Sequence, residues 1–146
     1  MRTLAIDYGR VRLGLALSDE EGVVASPLPP LPRAHTDLDE ISRLVLSRGV
    51  GQVVVGLPVS MNGNEGEMAM EARAFAAQIG IRTHLPVSLF DERWTSSEAE
   101  RALLEGDVSR KRRRELRDGL AAVLILQAYL ASTASHGGRR PPEEGA

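Results

Sequence analysis

Three acidic residues stand where their side chains could carry out hydrolysis. Asp7 ends an opening apolar run, Glu92 follows a later one, and Asp118 lies early in a long closing helical segment. Each is at the polar end of an apolar element, where a side chain reaches a cleft and not the core. Carboxylate oxygens are the ligands that Mg²⁺ and Mn²⁺ prefer, and two such ions can hydrolyse a phosphodiester. If the elements pair in one sheet, the three acids converge on a metal site.

Two of these acids have an equally simple structural explanation. Asp7 precedes Tyr8 and a glycine, so its carboxylate could bond its own backbone in a turn. Glu92 could pair with Arg93 or favour a nearby helix N-terminus. The residues alone leave both explanations open.

Asp118 is more telling because helix interiors disfavour Asp. The adjacent Gly119 weakens a helix by roughly 1 kcal/mol relative to Ala. Two poor helix formers in an amphipathic helix indicate a close approach to a neighbouring element. A solvated Asp that answers Arg114 one turn earlier is the alternative.

A basic cluster precedes Asp118. Between Ser109 and Arg117 there are six cations against one acid, a local balance of +5 in a chain of net charge −2. The candidate phosphate contacts are Arg110, Lys111, Arg112, Arg113 and Arg114. Cations at a helix N-terminus oppose the macrodipole, so their concentration there is best explained by a polyanionic neighbour. An ordinary solvated face is the alternative.

The loop 62–66 is a second candidate phosphate contact. It links a buried strand to a helix, so the amides of Asn62 and Gly63 could receive a phosphate. The loop matches neither a Walker A motif nor a dinucleotide fingerprint, and a structural turn is the alternative. Aromatic residues are few, which disfavours a stacking platform for single-stranded bases. Trp94, beside Arg93, is the one exception.

The apolar pattern predicts the order βββαβαβαα. Strands at 3–6, 11–17 and 23–25 form an antiparallel meander, and the four prolines of 26–32 indicate a connector. The later elements are helices at 37–48 and 67–79 (ended by Gly80), strands at 52–57 and 86–90, a short helix through Leu104 and a last helix at 109–132. The class is therefore α/β, with a five-stranded mixed sheet flanked by helices. Ligands gather at strand carboxyl ends in such sheets, where Asp7 and Glu92 lie.

The bulk composition is that of an ordinary globular domain. The chain has 146 residues, 42% hydrophobic and 26% charged, and no cysteine, which excludes disulfides and thiolate sites. It has no apolar run long enough for a membrane span and no signal-peptide layout at its start, so a cytoplasmic location is expected. We expect one domain at 1–132 and a flexible polar tail at 133–146.

The chain resembles the YqgF/RuvX family in four segments, AIDYGRVRLGLALSD, VVVGLPVSMNGNEGE, DERWTSSEAE and RDGLAAVLILQAYL. The resemblance implies an RNase H-like fold. Members are described as Holliday-junction resolvases or as nucleases that mature the 5′ end of pre-16S rRNA. The family's acids fall on Asp7, Glu92 and Asp118, which favours Glu92 over the adjacent Asp91. The chain departs from the family pattern after Asp118 and at Trp94.

The resulting hypothesis is an endonuclease that depends on Mg²⁺ or Mn²⁺. Asp7 would bridge two ions about 4 Å apart, with Glu92 and Asp118 completing the shell. The expected partner is pre-rRNA or a four-way DNA junction, and the protein would be a monomer or a homodimer. A non-catalytic nucleic-acid adaptor and a single-lobe ATP-binding protein are the alternatives.

Overall fold

The computed structural model describes residues 1–33, 37–95, 101, 105 and 110–135, without the side chains of 110, 112–118, 134 and 135. The elements are β1 (Arg2–Tyr8), β2 (Arg12–Ser18), β3 (Ala25–Pro32), α1 (Asp37–Ser47), β4 (Val50–Leu57), α2 (Glu67–Thr83), β5 (Val87–Asp91) and α3 (Arg110–Ser135). A single 3-10 turn, Glu92–Trp94, follows β5. Of the helices in the described part of the chain, none is long and apolar enough to cross a membrane.

One five-stranded sheet organises the fold, in the order β3-β2-β1-β4-β5. The strands β1, β2 and β3 are antiparallel neighbours, whereas β1, β4 and β5 are parallel. The predicted order of an antiparallel meander within a mixed α/β sheet is therefore confirmed, but its third strand is Ala25–Pro32 and not the predicted 23–25, because Val23 and Val24 are exposed in the turn before β3. Because β1 and β5 are parallel, Asp7 near the end of β1 and Glu92 just after β5 reach the same edge of the sheet.

The two faces of the sheet carry side chains of different size. The helix-pair face, covered by α1 and α2, presents bulky residues of the strands: Leu4, Ile6, Tyr8, Leu13, Leu15, Leu17, Val53, Val55, Leu57 and Leu89. The α3 face presents Ala5, Ala16, Val54 and Phe90 to α3. Side chains alternate along a strand, so Asp7, Gly14 and Gly56 share the α3 face.

The proline-rich segment is a strand, and the predicted connector at 26–32 was wrong. β3 includes all four prolines and pairs with β2, with Pro27 opposite Ala16 and Pro32 opposite Arg12. The reason is its position at the edge of the sheet. Alternate amides of an edge strand need no partner, so residues without an N–H are tolerated there and discourage pairing with other chains.

The helix α2 passes through Gly80, so the predicted end at that glycine was also wrong. It continues to Thr83, and His84 ends it in the left-handed region at φ 59°, its N–H donating to the Gly80 carbonyl at 2.9 Å. A Cβ at Gly80 would lie 3.6 Å from Val87 Cγ2. The glycine therefore stands where the helix packs on β5.

The remaining elements agree with the sequence to within a few residues where they are described. The last helix ends at Ser135, close to the predicted end at Ser132. The predicted short helix through Leu104 lies largely outside the described residues. Most of the predicted tail, from residue 136 onward, also lies outside them, and its flexibility stays a prediction.

Candidate active site

Asp7 occupies a half-buried position on the α3 face, one residue before the end of β1. Its partner across β2 is Gly14. A Cβ at Gly14 would lie 3.4 Å from Asp7 Cβ, 3.7 Å from Asp7 Oδ2 and 3.8 Å from Ala122 Cβ. The absence of a side chain at Gly14 therefore leaves space beside the carboxylate, between the sheet and α3.

Glu92 meets Asp7 on the same face of the sheet, beside Gly56. Their side chains are joined by a hydrogen bond. On β4, a Cβ at Gly56 would lie 2.8 Å from Glu92 Oε1 and 2.5 Å from Ile125 Cδ1, closer than real atoms approach. A side chain at position 56 would therefore require Glu92 or Ile125 to shift from this position. The structure brings together two of the three predicted acids.

Burial and the second acid change the proton affinity of Glu92. Its pKa rises from 4.5 to about 8, first because burial disfavours the charged form and then because of the hydrogen bond and the charge of Asp7. The charge of Asp91 adds a smaller contribution. Near neutral pH the pair therefore shares a proton, with the Glu92 carboxyl donating to Asp7. A divalent cation between the two would favour the charged form of Glu92, so this donor set fits a hard cation.

Asp91 has the opposite environment. Its side chain is only 4% exposed and accepts three hydrogen bonds from the Arg93 guanidinium, at 2.6 to 3.1 Å, and one from the Arg93 backbone N–H at 2.9 Å. The Arg93 hydrogen bond lowers the pKa of Asp91 more than burial raises it. Asp91 thus fixes the 3-10 turn that carries Glu92. Arg93, one of the partners considered for Glu92, pairs with Asp91.

The backbone around Asp118 makes the expected close approach. A Cβ at Gly119 would lie 2.8 Å from Pro27 Cβ and 3.4 Å from the Leu15 carbonyl oxygen. Residue 118 is one turn before Ala122, and residues four apart share a helix face. Ala122 lies beside Gly14, the register partner of Asp7, so the helix passes Asp7 one turn after residue 118.

The side chain of Asp118 lies outside the described residues, so its part in the site stays a prediction. Among the side chains that the structure describes, no three His, Cys, Asp or Glu residues are grouped closely enough to hold a metal. The pair formed by Asp7 and Glu92 is therefore the part of the predicted trio that has a described geometry.

The basic cluster occupies the first turns of α3. The side chain of Lys111 is described and exposed. The side chains of Arg110, Arg112, Arg113 and Arg114 lie outside the described residues. Their contact with phosphate stays a prediction.

The loop that contains Asn62 and Gly63 is closed by its own hydrogen bonds. The Gly63 N–H donates to the Ser60 carbonyl at 2.9 Å, and Asn62 Oδ1 accepts from the Asn64 N–H at 3.1 Å. Gly63 adopts φ 88°, which favours glycine. The amides of Gly63 and Asn64 already have partners within the loop, so they are not available to a phosphate in this conformation. The predicted contact stays a prediction, and the geometry is that of a structural turn.

Sequence reasoning did not identify Gly14 and Gly56 as parts of the site. A signal was available, because residues at alternate positions of β2 and β4 share a face with Asp7. Small residues at such positions, opposite an acid, indicate that other side chains come close to the sheet there. Recognising them required the strand register, which only the fold supplies.

Comparisons with known proteins agree with this fold. The family model RuvX, described as Holliday junction resolvase, matches residues 1–132. A protein of Pelotomaculum thermopropionicum is 45% identical over 157 residues, covering 99% of both chains. One of Listeria monocytogenes is 44% identical over 137 residues, covering 91% of this chain and 99% of its own. Both carry the name "Putative pre-16S rRNA nuclease".

Two solved resolvases show the fold. RuvC of T. thermophilus, in complex with a Holliday junction substrate, superposes with a TM-score of 0.67 at 17% identity, covering 97% of this chain and 99% of its own. The fowlpox virus Holliday junction resolvase gives a TM-score of 0.55 at 12% identity, covering 90% and 99%. The fold is therefore RNase H-like, of the RuvC type.

Proposed function

The chain belongs to the RuvX family, and we propose that it is a metal-dependent endonuclease that hydrolyses phosphodiester bonds in structured nucleic acid. The hydrogen-bonded pair of Asp7 and Glu92 carries this proposal. Two half-buried carboxylates in contact are unfavourable unless a proton or a cation joins them. Their position at the carboxyl edge of the sheet is where ligands of α/β proteins bind.

Mg²⁺ or Mn²⁺ is the cofactor that this donor set suits. Asp7 and Glu92 would hold the ion, with Asp118 as the expected third ligand. When bound, such an ion neutralises charge on the scissile phosphate and lowers the pKa of a water nucleophile. The chain's own contribution is to fix the two carboxylates. Gly56 leaves room for Glu92, and the Asp91–Arg93 pair holds its turn against the sheet.

We propose the 5′ end of pre-16S rRNA as the preferred substrate. The relatives with this name are about 45% identical over nearly the whole chain, whereas the junction-bound RuvC is 17% identical. The basic start of α3 would hold the flanking phosphates in either case. The family description and the RuvC fold favour a four-way DNA junction as the second candidate. A resolvase needs two active sites, so that candidate also requires a homodimer, whereas RNA maturation by a cytoplasmic monomer needs one.

Cleavage assays on both substrates test this proposal. Purified protein would be incubated with labelled 5′-extended pre-16S rRNA and with a labelled four-way junction, in Mg²⁺, Mn²⁺ or EDTA. We expect metal-dependent cleavage of the RNA. Mutating a residue that only hydrogen-bonds to a metal ligand lowers metal affinity or activity by about 10- to 100-fold. Asp7 is a proposed ligand itself, so Asp7→Asn should lower the cleavage rate by at least about 100-fold.

Glu21→Gln is the matched control, because Glu21 is an exposed acid in the turn between β2 and β3. It should cleave like the wild type. Equal cleavage by Asp7→Asn and wild type would reject the proposal. Binding of nucleic acid without cleavage in any metal would instead support the adaptor alternative. ATP-dependent thermal stabilisation without nucleic acid would favour the ATP-binding alternative.

A further inference from the structure

Trp94 is the only tryptophan of the chain and is not used by the site as described so far. It closes the 3-10 turn that begins with Glu92. Its side chain is 42% exposed, a large apolar area to leave in water. Two peptide units separate the two residues, so their Cα atoms are within about 8 Å of each other.

The ring of Trp94 is held on the same face of the sheet as the acid pair. It packs edge-on against Phe90, with ring centroids 5.3 Å apart and an interplanar angle of 88°. Phe90 is buried on the α3 face and packs in the same manner against Tyr129, at 6.1 Å. This chain of aromatic contacts fixes the orientation of Trp94 through residues of the core. Its exposed part is therefore pre-organised for contact with a ligand of the active site.

We propose that Trp94 stacks on an unpaired nucleobase next to the scissile phosphate; this inference rests on the proposed nuclease function. A base has an apolar π-face that matches an exposed indole, and such stacking changes affinity by about 5- to 150-fold per base. A base inside a duplex must first be unstacked before it can be bound in this way. Trp94 thus makes the enzyme selective for single-stranded nucleotides beside the cleavage point.

Tryptophan fluorescence reports this contact directly, because Trp94 is the only tryptophan. The inactive variant Asp7→Asn would be titrated with an RNA that carries unpaired nucleotides at the cleavage point. The same RNA with abasic sites at those nucleotides and a fully paired duplex are the comparison ligands. We expect strong quenching by the first and little by the other two.

Variants of Trp94 separate stacking from packing. Trp94→Leu keeps apolar contact with Phe90 but offers no ring, whereas Trp94→Phe keeps a ring. In the active protein we expect Trp94→Leu to raise KM for the unpaired substrate about 10-fold or more with kcat nearly unchanged, and Trp94→Phe to restore most of the loss. Ile81→Ala is the control, since Ile81 is an exposed apolar residue on α2, away from the α3 face.

The outcomes distinguish this inference from the proposed function. If the wild type cleaves while binding leaves Trp94 fluorescence unchanged and Trp94→Leu keeps its KM, the stacking role is overturned and the nuclease stands. Equal quenching by the abasic RNA would also overturn it. If base-dependent quenching occurs without any metal-dependent cleavage, the stacking site is supported and the nuclease proposal fails. If the protein neither binds nor cleaves the RNA with unpaired nucleotides, both the stacking role and the nuclease proposal are overturned.

Discussion

The two faces of the central sheet have different tasks. The helix-pair face packs bulky aliphatic side chains of the strands against α1 and α2, and it forms the larger core. On the α3 face, Gly14, Ala16 and Gly56 bring α3 close and leave space for Asp7 and Glu92. Large apolar residues stabilise one face, while small residues on the other allow two carboxylates to approach each other. Stability and chemistry are thus divided between opposite sides of the same strands.

Two adjacent residues show the same division between a structural and a chemical role. Asp91 and Glu92 are both carboxylic acids, yet the Arg93 guanidinium lowers the pKa of the first, while burial beside Asp7 raises the pKa of the second to about 8. Asp91 is charge-paired and structural. Glu92 lies half-buried next to the carboxylate of Asp7.

Substitution of the two adjacent acids should have opposite effects on stability. Glu92→Gln should lower cleavage by at least about 100-fold because it removes a proposed ligand, yet it should raise the free energy of unfolding at pH 8. Asp91→Asn should lower the free energy of unfolding by about 1–3 kcal/mol, since Arg93 loses its charged partner. Cleavage rates and urea denaturation of both variants measure these effects. If both variants were destabilised equally, the distinction between the two acids would be wrong.

Filling the space opposite Glu92 should reduce both stability and activity. In Gly56→Ala the new Cβ would lie against Ile125 Cδ1 and Glu92 Oε1, and overpacking of this kind destabilises by about 1–3 kcal/mol. Adding Ile125→Val removes the Cδ1 atom, so thermal denaturation of the double variant should show partial recovery. Its cleavage should stay low because Glu92 is still displaced. Full recovery of cleavage in the double variant would show that Gly56 does not position Glu92.

The same glycine-to-alanine substitution should change the free energy of unfolding in opposite directions in two helices. A Cβ at Gly80, next to the helix-pair face, would make ordinary contacts with Val87 Cγ2 at 3.6 Å and the Leu85 carbonyl oxygen at 4.0 Å, so Gly80→Ala should stabilise by up to about 1 kcal/mol through helix propensity. A Cβ at Gly119 would be 2.8 Å from Pro27 Cβ, so Gly119→Ala should destabilise by about 1 kcal/mol despite the same gain. Urea denaturation of Gly80→Ala and Gly119→Ala measures the sign of each change in the free energy of unfolding. A stabilised Gly119→Ala would refute the close approach of α3.

The pH dependence of stability should reveal the acid pair when no metal is present. The pKa of Glu92 is about 8 in the folded protein and near 4.5 in the unfolded chain, so the folded state binds its proton more tightly. The stabilisation by this proton is complete below about pH 4.5 and is lost as the pH rises to about 8. In EDTA, the stability of Glu92→Gln should lack this pH-dependent contribution, because glutamine does not titrate. Thermal denaturation of wild type and variant between pH 5 and 9 measures the difference, and parallel curves would contradict the pairing.

Local patterns predicted most of the fold. The hairpin chemistry after β1 and the continuous apolar run of β4 define strands without reference to the rest of the chain. Two predictions failed because their outcome depends on tertiary position. The prolines of β3 fit a strand only because β3 is at the edge, and Gly80 lies inside a helix because β5 packs on it.

The acidic residues of the site could be predicted from the sequence, but their burial and their contacts could not. Strand ends and helix chemistry indicated Asp7, Glu92 and Asp118, while the preference for Glu92 over Asp91 came from the family resemblance. The raised pKa of Glu92 depends on its burial and on its contact with Asp7, which lies 85 positions earlier in the sequence. No pattern of spacing specifies such a contact, since it follows from the register of five strands.

Diffraction from crystals of this protein grown with Mn²⁺ tests the central claim most directly. Anomalous scattering locates the ion without reference to activity. We expect an anomalous peak within about 2.0–2.3 Å of carboxylate oxygens of both Asp7 and Glu92, and no such peak in Asp7→Asn crystals. A saturating Mn²⁺ concentration with no peak at this pair, or with the ion held by Asp91 instead, would contradict it.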